Sequence, residues 1–223
     1  MEKRHGDGFF KHILTTDESI QEGGIEHMAK LYFRYGAMGS SKTANALMVR
    51  YNYVEKGQTP VLLKPRTDTR DGERVISSRI GLKEECGFVD EFLAEMKTAG
   101  SSVRKDLEEK RLAAVIVDEA QFLTAEEVDL LSDIVDYYEI PVLCYGLRTD
   151  FTSHLFEGSR RLMEIADKIE EVPTVCWCGR RAHYNTRIKD GKIVRTGEQI
   201  MIGGNESYVS LCRKHFKEGK INK

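Results

Sequence analysis

The stretch Gly36-Ala37-Met38-Gly39-Ser40-Ser41-Lys42-Thr43-Ala44-Asn45-Ala46-Leu47 lies between two segments of opposite character. Before it, KLYFRYG (residues 30–36) is a short aromatic and apolar run suited to a buried strand, and it stops at glycine. After it, TANALMVRYNYVEKG (residues 43–57) spaces Ala46, Leu47, Val49, Tyr53 and Val54 at helical intervals and closes at Gly57. A strand, a glycine turn and a helix opening on Lys-Thr form the context in which a loop cradles phosphate. Backbone N–H groups of the loop and the positive end of the helix dipole would surround the anion. Lys42 would reach the β- and γ-phosphates, and the Thr43 hydroxyl would take a place on Mg²⁺. The competing reading is an ordinary loop with a chance Lys-Thr.

Ser41 is the irregular residue. The pattern G-x-x-x-x-G-K-[ST] has glycine there, because a Cβ crowds the phosphates or strains the turn. An unfavourable backbone conformation costs about 1–3 kcal/mol. Acting on catalysis alone, that is roughly a five- to 150-fold loss. Gly39, two residues earlier, loosens the loop without occupying the same place.

Further along, TPVLLKP (59–65), LAAVIVDE (112–119) and IPVLCYG (140–146) read as three more strands. Their near-continuous apolar content is what a sheet covered on both faces requires. Thr124 and Glu127 form a T-x-x-E capping box heading a helix with Val128, Leu131, Val135 and Tyr138 on one side. Strands alternating with helices predict an α/β fold built on a parallel sheet. Asp118 and Glu119 close the third strand, at the edge where open α/β sheets bind ligands. An Asp there holds Mg²⁺, directly or through water, and the adjacent Glu can take a proton from an alcohol or water. Taken alone, VDEAQF also fits ATP-driven helicases of the DExx type, and two adjacent acids can equally be a solvated strand end.

The character of the chain changes after Val172. Cys176-x-Cys178 and Cys212-x-x-His215 offer the four ligands of a closed Cys₃His zinc site, which would be structural and would pin both ends of residues 179–211. Buried thiols without metal are the alternative. A hairpin turn is expected at Lys189-Asp190-Gly191-Lys192. The organisation expected is therefore 1–27 as a disordered extension or translated leader, 28–172 as an ATP-binding domain, and 173–223 as a small metal-bound lobe. The leader idea comes from Glu22-Gly23-Gly24, whose codons can spell a ribosome-binding sequence shortly before Met28.

The 223 residues carry a net charge of -2, which argues against a broad nucleic-acid surface. No run of eighteen apolar residues is present to cross a membrane, and the first residues lack the apolar core of a signal peptide. Five cysteines, an odd count, argue against a disulfide framework. A cytoplasmic location is expected.

Taken together, LYFRYGAM, SKT, YNYVEKG, DTR, SSRIGL, VDEAQFLT, IPVLCYGLRTDF, CWCGR and IGGNESYVSLCRKH closely resemble the zinc-containing thymidine kinases of the cellular and bacterial type. The likeness runs from about Met28 to His215 and departs from the family pattern at Ser41. It implies transfer of the γ-phosphate of ATP to the 5′-hydroxyl of thymidine by a homotetramer, with deoxyuridine left open as a further substrate. On this resemblance Glu119 is the general base and Asp118 the acid linked to Mg²⁺. The ATP site is implied to comprise Gly36, Ala37, Met38, Gly39, Ser40, Ser41, Lys42 and Thr43, together with Asp68, Arg70, Asp118, Glu119, Ala120 and Gln121. Phe151 is implied to pack on the base, and Tyr208 ends the loop covering the substrate. Within that loop, Gln199, Ile200, Met201, Ile202 and Gly203 would read the thymine edge through their backbone. Cys176, Cys178, Cys212 and His215 are implied to hold structural zinc. Read without the family, Asp68 with Arg70 is a surface pair, and Phe151 and Tyr208 are core packing.

Overall fold

The computed structural model describes residues 29–69, 72–197, 199 and 207–222. The expected leader (1–27) and Met28 lie outside the described residues.

Six strands make one parallel sheet: β1 (Leu31–Tyr35), β2 (Pro60–Lys64), β5 (Gly87–Phe88), β6 (Ala114–Val117), β7 (Val142–Gly146) and β8 (Lys168–Glu171). Their order is β5-β2-β6-β7-β1-β8, and every pairing between neighbours is parallel. Helices fill the connections: α1 (Lys42–Glu55), α2 (Val89–Lys97), α3 (Ser102–Glu108), α4 (Ala125–Tyr138) and α5 (Glu157–Ile165). A short antiparallel pair, β3 (Val75–Ser77) with β4 (Lys83–Glu85), lies between β2 and β5 in the chain.

Alternation along each strand divides the core between the two faces. Leu31, Phe33, Val115, Val117, Val142 and Cys144 pack with Leu93, Leu131 and Leu162 from α2, α4 and α5. Ala114, Ile116, Leu143 and Tyr145 point to the other face and meet Ala46 and Leu47 of α1. Each fully buried Leu, Ile, Val or Phe among them contributes about 1.5–3 kcal/mol. A run such as Ala114–Val117 is apolar at every position because neither face meets water.

The capping box forms as expected, with Thr124 Oγ1 accepting from the Glu127 N–H and Glu127 Oε2 accepting from the Thr124 N–H at 2.8 Å. Two strands of the parallel sheet, and the β3–β4 pair, were not foreseen. The β5 strand has only two residues, and β8 reads KIEE, a charged edge strand without an apolar signature.

The chain then forms a small antiparallel sheet of β9 (Tyr184–Lys189), β10 (Lys192–Ile193) and β11 (Ser207–Leu211), ordered β10-β9-β11 and followed by α6 (Arg213–Glu218). The expected hairpin joins β9 to β10. Asp190 and Gly191 have φ of 50° and 71°, as a two-residue turn with both central residues left-handed demands.

Candidate active site

Parallel pairing places the C-terminal ends of β1, β7 and β6 on one edge of the sheet. Gly36 leaves β1 with its N–H on the Gly146 carbonyl at 3.2 Å. A Cβ on Gly36 would stand 2.4 Å from both Ser40 Oγ and the Val172 carbonyl, so no other residue fits. The loop turns through Gly39 (φ 75°) and Ser41 (φ 62°), and the Ser41 carbonyl accepts the Asn45 N–H of the first α1 turn. Ser41 therefore occupies the left-handed conformation in which glycine is strain-free. Lys42 is buried, and its ammonium donates at 3.1 Å to the Gly36 and Ala37 carbonyls and to Ser40 Oγ. Beside this loop is a cleft of about 430 Å³, bordered also by Asp68, Ile76, Arg79, Asp118 and Glu119.

Asp118 is buried at the end of β6 and accepts a hydrogen bond from the Thr43 side chain. Burial first, then the neighbouring Glu119 carboxylate, push its carboxyl well above the ordinary aspartate range. Glu119 has φ 53° and leads into a single 3₁₀ turn, Ala120–Phe122. Gln121, also buried, donates through Nε2 to Glu119 and accepts the Leu147 N–H at 2.9 Å. A Cβ on Gly146 would lie 2.8 Å from that Gln121 oxygen, so the glycine ending β7 makes room for the residue that aims Glu119. The carboxylate is thus fixed to the ends of two strands. A non-glycine residue held left-handed at such a point costs about 1–3 kcal/mol, and such strain concentrates at functional sites.

Asp68 follows β2 and is buried. Lys64, fully buried at the end of β2, donates to the Gly72 and Val75 carbonyls at 2.7 and 2.9 Å, with Asp68 4.0 Å away. The Arg66 and Arg74 guanidiniums stack on the Phe88 ring at 4.2 and 4.7 Å, and both pair with Glu91. They clamp the base of the segment carrying Asp68. Arg70 lies outside the described residues.

Beyond β7, Asp150 is buried and organises its turn. One oxygen accepts the N–H groups of Thr152 and His154 and the Thr152 hydroxyl, and the other accepts Gln199 Nε2 at 2.9 Å. Although partial burial opposes it, these hydrogen bonds hold Asp150 below the ordinary aspartate range. Phe151 is buried beneath Arg187, whose guanidinium donates to the Tyr208 hydroxyl at 2.7 Å. Asp150 and Arg187 therefore link Gln199, Phe151 and Tyr208. Ile200, Met201, Ile202 and Gly203 lie outside the described residues.

Cys176, Cys178, Cys212 and His215 come together with all four ligand atoms within 4.8 Å of one another. Cys176 Sγ is 3.3 Å from His215 Nδ1, and Cys178 Sγ is 4.0 Å from Cys212 Sγ. Three thiols and one imidazole at these separations suit a tetrahedral zinc ion with no open position. Trp177 stacks on the His215 ring at 4.1 Å and fixes its plane.

Lys64, Asp150, Asn185 and Arg187 were not singled out from sequence. The available signal was a polar residue inside a strand pattern. Asn185 and Arg187 sit mid-strand in β9 yet are 3% and 2% exposed, and asparagine is disfavoured in strands.

A parallel sheet with a glycine loop before a Lys-Thr helix and acids at the next strand end defines a P-loop nucleotide-binding fold. The family model for thymidine kinase matches residues 29–216. The chain is 45% identical over 193 residues to a thymidine kinase of Haemophilus influenzae, covering 86% of this chain and 97% of that one. A Shewanella oneidensis thymidine kinase is 46% identical over 194 residues, 86% and 98% of the two chains. One from Rhodopirellula baltica is 46% identical over 195 residues, 86% and 89%. This chain belongs to the thymidine kinase family and is a kinase. Among solved structures, the Pif1 helicase of Candida albicans aligns with a TM-score of only 0.36 at 12% identity, over 65% of this chain and 36% of that one, too little to bear on function.

Proposed function

We propose that the protein transfers the γ-phosphoryl group of ATP to the 5′-hydroxyl of thymidine, giving dTMP and ADP. The observation carrying this reading is Glu119, held by Gln121 at the lip of the phosphate-loop cleft beside buried Asp118. In the reaction the 5′-oxygen forms a bond to the γ-phosphorus while the bond to the β,γ-bridging oxygen breaks. The hydroxyl proton passes to the Glu119 carboxylate, and ADP leaves with the electron pair. Phosphoryl transfer needs mainly positioning and charge neutralisation. Lys42 supplies a cation to the transferring group after leaving the loop carbonyls it now contacts. Thr43 and Asp118 would hold the Mg²⁺ that accompanies ATP, and that ion supplies charge neutralisation between the phosphates. Asp68 and Arg70 complete the phosphate site, and the buried Lys64 keeps Asp68 in place.

Phe151 and Tyr208 would pack against thymidine. The segment Gln199 to Gly203 would cover it and read the base edge through its backbone, which also admits deoxyuridine. Residues 28–172 then act as the ATP-binding domain and 173–223 as the zinc-held covering lobe, in a cytoplasmic homotetramer. No helix of the described residues is long and apolar enough to cross a membrane.

The test is direct. Purified protein with MgATP and thymidine should release dTMP and ADP in equal amounts, with little ADP when thymidine is omitted. Glu119→Gln should lower turnover about 100-fold or more, as loss of a positioned base does. ADP release that ignores thymidine, or an E119Q variant as fast as the parent, would overturn the reading.

A further inference from the structure

The phosphate loop is held from outside its own fold. The N–H of Met38 donates to Asn185 Oδ1 at 2.7 Å, and the Met38 carbonyl accepts the Ser210 hydroxyl. Asn185 belongs to β9 and Ser210 to β11, and the two residues face each other across that ladder. A third contact runs from Thr174 Oγ1 to the Gly39 carbonyl at 3.3 Å. Both polar groups of one loop residue are therefore engaged by the small C-terminal sheet. The Asn185 amide then turns its other end to the segment that follows β7, donating through Nδ2 to the Thr149 carbonyl at 2.8 Å. Thr149 immediately precedes Asp150 and Phe151.

We propose that Asn185 is a positioning residue that locks the phosphate loop to the Thr149–Phe151 segment, with Ser210 holding the same Met38 residue from its other polar group. The inference rests on the reading of the cleft as an ATP and nucleoside site.

The chemistry favours asparagine at this point. One partner is an N–H and the other a carbonyl, so the bridging side chain must present an acceptor and a donor at once. An aspartate satisfies Met38 and sets an acceptor against the Thr149 carbonyl. A leucine of similar size satisfies neither and leaves two partly buried backbone groups bare. Inside the loop, Lys42 draws the Gly36 and Ala37 carbonyls inward, while Asn185 and Ser210 fix the next residue from the opposite side. Once Lys42 turns to the phosphates, the loop keeps its hold on two residues more than 140 positions later. ATP affinity should depend on side chains that touch no phosphate.

The experiment uses the full chain and two probes, magnesium AMP-PNP followed by isothermal titration and thymidine turnover followed by dTMP. Asn185→Leu should weaken AMP-PNP binding and raise the KM for ATP about tenfold, the effect of roughly one net hydrogen bond. It should change kcat much less. Ser210→Ala removes a single oxygen and should produce a smaller loss of the same kind. Because both hold Met38, the double variant should lose less than the product of the single losses. Asn185→Asp, keeping the acceptor, should retain more affinity than Asn185→Leu. Should N185L fail to fold, S210A and N185D carry the test. Nucleotide affinity unchanged in S210A and in either Asn185 variant overturns the proposal. So does a lowered kcat at unaltered affinity. A parent that binds AMP-PNP but leaves thymidine unphosphorylated sinks the functional reading alone, because the affinity arm still measures the clasp.

Discussion

The guanidinium of Arg187 lies 3.8 Å from the ring centroid of Phe151 and 5.5 Å from that of Tyr208, and its Nε donates to the Tyr208 hydroxyl. One buried cation thus organises both aromatics assigned to the nucleoside. A desolvated cation–π contact contributes about 2 kcal/mol. Arg187→Gln should raise the KM for thymidine by roughly tenfold or more. The KM for ATP should move far less. Arg187→Lys should recover only part of the loss, since an ammonium cannot stack flat while also donating from Nε. Steady-state kinetics in both substrates would check this, and equal losses for ATP and thymidine would refute it.

Ser41 permits a prediction in the favourable direction. Its φ of 62° and ψ of 24° lie in the left-handed region, and its exposed side chain borders the cleft. L-residues pay about 1–2 kcal/mol there, and glycine pays none of that strain. Ser41→Gly should lower the KM for ATP severalfold and leave the KM for thymidine unchanged. An unchanged or higher KM for ATP would show that Ser41 does not crowd the phosphates.

Much of this site was legible because its chemistry is local in sequence. The loop Gly36–Thr43 and the acids Asp118 and Glu119 sit at strand ends whose apolar runs announce them. The Cys and His ligands likewise come in two short motifs. Asn185, Arg187 and Lys64 stayed hidden for a physical reason. Each acts through partners fixed by tertiary packing, such as Met38 for Asn185 and Phe151 for Arg187. Strand β8 was hidden for a different reason: an edge strand needs backbone pairing more than an apolar face, and KIEE pairs through Tyr32–Tyr35 of β1.

The chain has one tryptophan, and it stands on the Cys₃His cluster. Trp177 lies 4.1 Å from His215 with an angle of 4° between the rings. Metal analysis should find one zinc per chain, and stripping it should shift the Trp177 emission and lower Tm. Loss of zinc should also raise the KM for thymidine, since β9 and β11 carry Arg187 and Tyr208. Cys178→Ser should reproduce these changes in milder form. Stoichiometric purification without zinc, with full activity and stability, would rule the centre out.

Asp118 gives a pH dependence whose sign follows from its surroundings. It is buried with Glu119 beside it, Thr43 donating to it and the Lys42 ammonium nearby, and the balance raises its carboxyl to about 7. In the unfolded chain it returns to about 3.9. Between these values the folded protein holds a proton that the unfolded chain has released, so stability falls as pH rises across that window. Above it, the fold carries a buried carboxylate next to a second one. Asp118→Asn removes that charge and keeps the shape. Without magnesium, this variant should melt several degrees above the parent at pH 8, with a much smaller gap at pH 5, while losing nearly all kinase activity. Calorimetry on both proteins at the two pH values decides the matter. A gap that is constant with pH, or larger in acid, would mean that Asp118 is ionised in the fold throughout the range and that Lys42 outweighs its burial.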